Sequence, residues 1–194
     1  DGLTYREELP NVTVYRRHAH FTDDHTLDLG GNPVSADRIV LAAGARPIVP
    51  ELPGLIESPF HTSDTIMRVE TLPERLVILG GGFIAVEMAH VFDALGTQVT
   101  IVVRRKRLLR GADESIRDRI TSLYAERLDL RTSTTVKQVD HDSTFDLHLD
   151  DGTVLQTDQL LVATGRRPNS DNLEVARGGI AVDDNGYVTT DEYL

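Results

Sequence analysis

Gly80-Gly81-Gly82-Phe83-Ile84-Ala85 fits the spacing G-x-G-x-x-[GA]. Residues of these types at this spacing suit one task, holding a diphosphate against the start of a helix. Gly80 permits a tight turn out of a strand. Gly82 lacks the Cβ that would keep a pyrophosphate off the backbone, and Ala85 is small enough for close helix–strand packing. The free N–H groups of the helix's first turn then face the phosphates with a partial positive charge. Alone the motif is weak, because a tight strand–helix turn also occurs in unrelated α/β proteins. Its context strengthens it. The apolar run Arg75–Leu79 precedes it. From Phe83 to Leu95, Ile84, Met88, Val91, Phe92 and Leu95 fall on one helical face. Gly96 ends that helix, and Gln98–Val103 reads as the next strand.

The end of that next strand bears on which nucleotide is held. An NAD site usually carries an acid there, about 20 residues beyond the glycines, to bind the ribose hydroxyls. Thr100-Ile101-Val102-Val103-Arg104 has none, and Arg105, Lys106, Arg107 and Arg110 follow. A 2′-phosphate needs cations, and the planar fork of arginine matches it. The spacing therefore favours NADPH, with a merely solvated basic loop as the bland alternative. Glu87, one turn beyond Phe83, could face a nicotinamide or a flavin-side cation, though from sequence physics alone a surface or first-turn acid explains it better. The seven histidines show no metal-ligand spacing, and no Ser/His/Asp arrangement is identifiable. With no cysteine in the chain, disulfides, thiolate metal sites and thiol catalysis by its own residues are excluded.

Several elements must position these residues. Thr62-Ser63-Asp64 suits the cap of a short helix, and Asp113 with Glu114 suits the start of a longer one, on which Ile116, Ile120, Leu123 and Leu128 share a face. Leu128–Thr132 reads as a strand. Val136–Val139 and Phe145–Leu149 read as antiparallel strands with a turn at Asp150-Asp151-Gly152, and Gln159–Ala163 as a buried strand stopped by Gly165. The order β-α-β-α-β, small antiparallel meander, β predicts an α/β fold, a Rossmann-like doubly wound unit. Upstream, the alternation in Asn11–His20 predicts a half-buried strand, Thr26–Leu29 a second, and the apolar Arg38–Ala43 a strand buried on both faces. Pro47, Pro50 and Pro53 mark a connector. Ile39–Pro47 (IVLAAGARP) also resembles Leu161–Pro168 (LVATGRRP), a modest internal repeat.

A net charge of −11 argues against a nucleic-acid or anionic-membrane surface. No apolar run approaches the roughly 20 residues that span a bilayer. No signal peptide is apparent, and a nicotinamide site makes the cytoplasm the default location. Both ends read as cuts within a longer protein.

Taken together, Leu76–Gly96 (LVILGGGFIAVEMAHVFDALG), the Arg104-to-Arg110 spacing and Leu161–Leu173 (LVATGRRPNSDNL) resemble the class I FAD-dependent pyridine nucleotide-disulfide oxidoreductases. Asn11–Phe21 and Phe60–Pro73 resemble one branch of that family, which acts on a low-molecular-weight disulfide. The resemblance implies electron flow from NADPH to FAD to a disulfide in a full-length homodimer. It implies that Gly80, Gly82 and Ala85 cradle the pyrophosphate with Ile84 in the same turn, and that Arg104 and Arg110 hold the 2′-phosphate. It also implies that Glu87 lies near the nicotinamide, that Phe83 is an aromatic gate over the flavin, that Val136 and Gly165 border the nucleotide, and that Ala43 and Gly44 touch FAD. It further implies that residues 1–56 are a remnant of the FAD-binding domain, 57–168 the NAD(P)H-binding domain and 169–194 a return segment.

The family's N-terminal FAD glycine motif, its C-x4-C pair and its His-Glu pair are not in this sequence. No catalytic residue is therefore expected in the chain itself, and FAD should be held weakly or not at all. Two other readings stay open on the residues: the NADPH domain of a dithiol-lacking flavin-dependent NAD(P)H oxidase or ferredoxin reductase, and a non-catalytic NAD(P)-sensing module.

Overall fold

The structure, a computed structural model, describes residues 2–193. The chain forms two compact units, one from the segments ending at Arg46 and beginning at Arg167, the other spanning Pro47–Arg166.

In the first unit, α1 (Gly2–Glu7) is a short helix with no buried residue. The strand expected over Asn11–His20 does not form. The chain is irregular as far as Ala19, and the strand that does form, β1 (His20–Asp23), begins where a side chain finds a core. Phe21 is 1% exposed, whereas Val12 is 41% exposed. The Phe21 N–H donates to the Leu173 carbonyl at 2.8 Å. Its ring packs so closely on Gly178 that a Cβ there would lie 2.6 Å away. Alternation alone gives Val12 and Val14 no surface to cover. β2 (Thr26–Asp28) and β3 (Pro33–Ser35) complete an antiparallel sheet in the order β1-β2-β3, pairing Phe21 with Leu27 and Leu27 with Val34. The Asp28 carboxylate accepts from the Gly30 and Gly31 N–H groups and closes the intervening turn.

Arg38–Ala43 also departs from expectation. It is not a strand, and its side chains are exposed or half-buried, with Val40 89% exposed. An extended apolar segment becomes a buried strand only beside a ladder partner, and none pairs with it among the described residues. β4 (Ala45–Pro47) then carries the chain out of this unit.

The second unit is built on β5 (Arg75–Leu79), α2 (Phe83–Ala94), β6 (Gln98–Val103), α3 (Glu114–Arg127), β7 (Asp129–Thr132) and, after a three-stranded meander, β11 (Gln159–Val162). The meander comprises β8 (Val136–His141), β9 (Phe145–Leu149) and β10 (Val154–Thr157). Four strands pair in parallel in the order β11-β5-β6-β7, the doubly wound α/β arrangement that the sequence predicts. One sheet face, with Leu76, Ile78, Ile101 and Leu161, packs on the helices. The other, with Val77, Leu79, Val102 and Leu160, packs on Val136, Val139, Phe145, Leu147 and Leu149 of the meander. Apolar residues at both odd and even positions thus have a core to enter, which is why these strands lack alternation.

The buried face of α2 matches the expected one only in part: Phe92 is buried and Met88 packs against the core, but the small residues go deepest. Ala85, Ala89 and Phe92 face the core, while Leu95 is 60% exposed. The helix lies on its small residues, which lets its axis approach the sheet. The Asp113 carboxylate caps α3, accepting from the Ser115 N–H at 2.9 Å and its hydroxyl at 2.7 Å. These bonds hold its pKa below the usual carboxylate value. The proline-rich connector packs within this unit: Leu55 is fully buried, and Val139 N–H donates to the Pro53 carbonyl at 2.9 Å. One 3-10 turn, Ile66–Arg68, follows Thr62-Ser63-Asp64. β12 (Arg166–Pro168) leads out of the unit. Among the described residues no helix is long and apolar enough to cross a membrane.

Candidate functional site

In an open parallel sheet the crevice lies beyond the carboxyl ends of the strands, where the strand order reverses. Here the chain steps from β5 to β6 and β7, then returns to place β11 on the other side of β5. A cleft of about 630 Å³ opens at that edge, lined by the ends of β5, β6 and β11, the residues after β7, and the connector.

The three glycines differ in what they do there. Gly80 has φ +128°, and its N–H donates to the Val102 carbonyl at 2.9 Å. A Cβ on it would lie 2.2 Å from the Ala163 carbonyl oxygen, so the fold itself requires glycine. A Cβ on Gly81 would lie 2.7 Å from Val103 Cγ2. Gly82 has an ordinary φ of −85°, and a Cβ on it would meet nothing within 4 Å. It precedes α2 without any side-chain cap, so the first-turn amides lack the partner that such a cap would provide.

Of the residues singled out from sequence, Gly80, Gly82, Arg104, Arg110, Val136 and Gly165 line the cleft. Phe83 (61% exposed), half-buried Ile84 and exposed Glu87 lie on the first turns of α2, outside the lining. Ala85 is wholly buried in the core beneath the turn. Ala43 and Gly44 are exposed residues of the first unit.

The basic loop divides in two. Arg107 is committed to α3: Nη1 donates to Glu114 Oε1 at 2.9 Å, and Nε lies 2.7 Å from Asp118 Oδ1. The hydrogen bond to Glu114 raises the guanidinium pKa and lowers that of Glu114. Arg104, Arg105 and Arg110 line the cleft, as Arg107 does, but make no ion pair among the described residues. A cleft whose cations lack internal partners is suited to an anionic guest.

Sequence reading missed the other wall: Ile48, Pro50, Glu51 and Leu52 from the connector, and Thr134 and Thr135 after β7. Prolines marked the connector without saying where it lies. The only available signal for Thr134 and Thr135 was their place just past the carboxyl end of a parallel strand. Their backbones are fixed by Thr134 N–H to the Val103 carbonyl (3.2 Å) and Thr135 N–H to Asp150 Oδ1 (3.1 Å).

Residues 2–194 match the family described as pyridine nucleotide-disulphide oxidoreductase, and the chain belongs to that family. Among curated proteins it is similar to mycothione reductase of Mycobacterium tuberculosis, at 44% identity over 99% of this chain and 43% of that protein. It is also similar to mercuric reductase of Staphylococcus aureus, at 35% identity over 93% of this chain and 34% of that protein. Among solved structures, the HOCl-induced flavoprotein disulfide reductase RclA of Escherichia coli superposes with a TM-score of 0.84 at 30% identity. That match covers 97% of this chain and 44% of the other. The chain thus spans less than half the length of each of these relatives.

Proposed function

We propose that the cleft of the second unit receives NADPH and presents it to FAD within a longer flavoprotein disulfide reductase. The observation that carries this reading is the coincidence, in one cleft, of the open side of Gly82 at an uncapped helix start with three unpaired arginines. Gly80, Gly82 and the first-turn amides at Phe83, Ile84 and Ala85 receive the diphosphate. Arg104 and Arg110 receive the 2′-phosphate, and Val136 and Gly165 border the nucleotide. Glu87 and the exposed Phe83 stand on the helix that leads away from the diphosphate, toward the nicotinamide end. When bound, NADPH supplies a hydride to the flavin, and the protein supplies binding and orientation.

FAD belongs to the longer protein on this reading, with Ala43 and Gly44 as this chain's contribution to it. Disulfide exchange falls to residues elsewhere, since this chain has no cysteine. The higher identity to mycothione reductase than to mercuric reductase favours a low-molecular-weight disulfide as the final acceptor. A homodimer and a cytoplasmic setting complete the proposal.

Titration calorimetry of the chain with NADPH and NADH tests the nucleotide assignment. NADPH is expected to bind about tenfold to a hundredfold more tightly, from charge-assisted bonds to a solvent-facing phosphate. The double variant Arg104→Ala, Arg110→Ala should erase the difference. Equal affinities in the unmodified chain would overturn the NADPH assignment.

A further inference from the structure

The arginines proposed to hold the 2′-phosphate sit on the segment between β6 and α3, which has no regular secondary structure. A phosphate bound by such a segment must bear the entropic cost of ordering it, unless the protein has already done so. The segment is tied down residue by residue. The Arg105 carbonyl accepts from Ser133 N–H at 3.1 Å, and the Leu109 N–H donates to the Gly81 carbonyl at 2.7 Å. Leu108 is fully buried, and its N–H donates to the side-chain hydroxyl of Thr121, two turns into α3, at 3.1 Å. Leu109 is held at φ +53°, a left-handed conformation that a leucine adopts only under such constraint. The Thr121 bond fixes the Arg107–Leu108 peptide, one residue before Leu109 and between Arg104 and Arg110 in the chain.

We infer that Thr121 is a positioning residue for the 2′-phosphate site: its hydroxyl, through the Leu108 amide, holds the loop so that Arg104 and Arg110 are set before the nucleotide arrives. Arg107, paired with Glu114 and Asp118, is a second and weaker stay. Both of its carboxylate partners are at least half exposed, and exposed ion pairs add little. The two stays tie α3 to the loop, and Leu109 ties the loop to the glycine turn at Gly81. This inference rests on the NADPH reading above.

The test compares NADPH and NADH affinities of the chain and of Thr121→Val, which keeps the shape and removes the acceptor. NADPH affinity should fall about threefold to tenfold, the range of one neutral hydrogen bond, with NADH affinity within about twofold of the original. Thr121→Ser should restore the preference. Should the valine variant not fold, Thr121→Ala, which also removes the hydroxyl, carries the same expectation. An unchanged NADPH-to-NADH ratio in the variants, or an equal loss for both nucleotides, overturns the positioning role while leaving the nucleotide assignment intact. If the unmodified chain shows no preference, the NADPH reading fails, and this inference fails with it.

Discussion

Ile39–Pro47 and Leu161–Pro168 carry nearly the same pattern: an apolar run, small residues, glycine, one residue, then Arg-Pro. Val40 and Leu161 occupy the same place in it. Leu161 is fully buried in a parallel strand, paired to Ile78 of β5, and Val40 is 89% exposed in a segment that is no strand. The amino acids cannot account for this, since both runs are apolar and suited to a strand. What differs is the surroundings: one run enters a sheet with a core on each face, the other has no ladder neighbour among the described residues. An apolar run is thus an offer of a strand, and its neighbours decide whether it is taken up.

Three tests, in falling order of effect, break or sharpen that contrast. Leu161→Ala should cost about 2–5 kcal/mol by emptying core volume. Val40→Ala should change stability by less than about 0.5 kcal/mol, as exposed positions do. Denaturant midpoints of the two variants give the comparison directly, and similar costs would mean that Val40 has a core to fill. Next come the glycines that close the two runs. Gly165, at φ +148° with Ile48 Cδ1 3.3 Å from any added Cβ, should lose up to about 3 kcal/mol as alanine. Gly44, at φ +64° in open space, should lose about 1 kcal/mol. Thermal melts of the two alanine variants should rank them in that order.

The smallest effect concerns the arginines that end both runs. Arg46 and Arg167 lie 2.6 and 3.0 Å from the same Asp171 oxygen. The Arg46 hydrogen bonds hold the Asp171 carboxyl far below the usual carboxylate value. A depressed pKa in the folded state means that the stabilisation is present above the ordinary value of 3.8 and is lost as the pH falls below it. Asp171→Asn should therefore lower the melting temperature slightly at neutral pH, with the gap to the unmodified chain closing as the pH drops below 3.8. A gap that stayed constant through that range would show that the ion pairs are not its source.

The same contrast explains what could be read from sequence. β5, β6, the Asp113 cap, the meander and the glycine turn were legible because local residue types set them: apolar runs, a capping acid and paired alternating strands. The buried face of α2 was legible at Ala85 and Phe92 and misjudged elsewhere: Ala89 lies in the core, while Leu95 at the helix end is exposed. The cleft was legible where its lining residues follow one another, at Gly80 and Gly82 and at Arg104 and Arg110. It was opaque where the wall comes from distant segments. Nothing local places Ile48 or Leu52 in the same cleft as Thr134, and nothing local says that Arg107 spends its charge on Glu114 and Asp118.

Gly80 and Gly82 stand two positions apart and are glycine for unrelated reasons. At the first, the chain's own carbonyl forbids a methyl group; at the second, no atom of the protein objects. Under the proposed nucleotide role, descendants of this chain that gave up the nucleotide but kept the architecture would have to retain the first, and would be free to let the second drift. Position 82 is thus a mark of the guest, and position 80 a mark of the house.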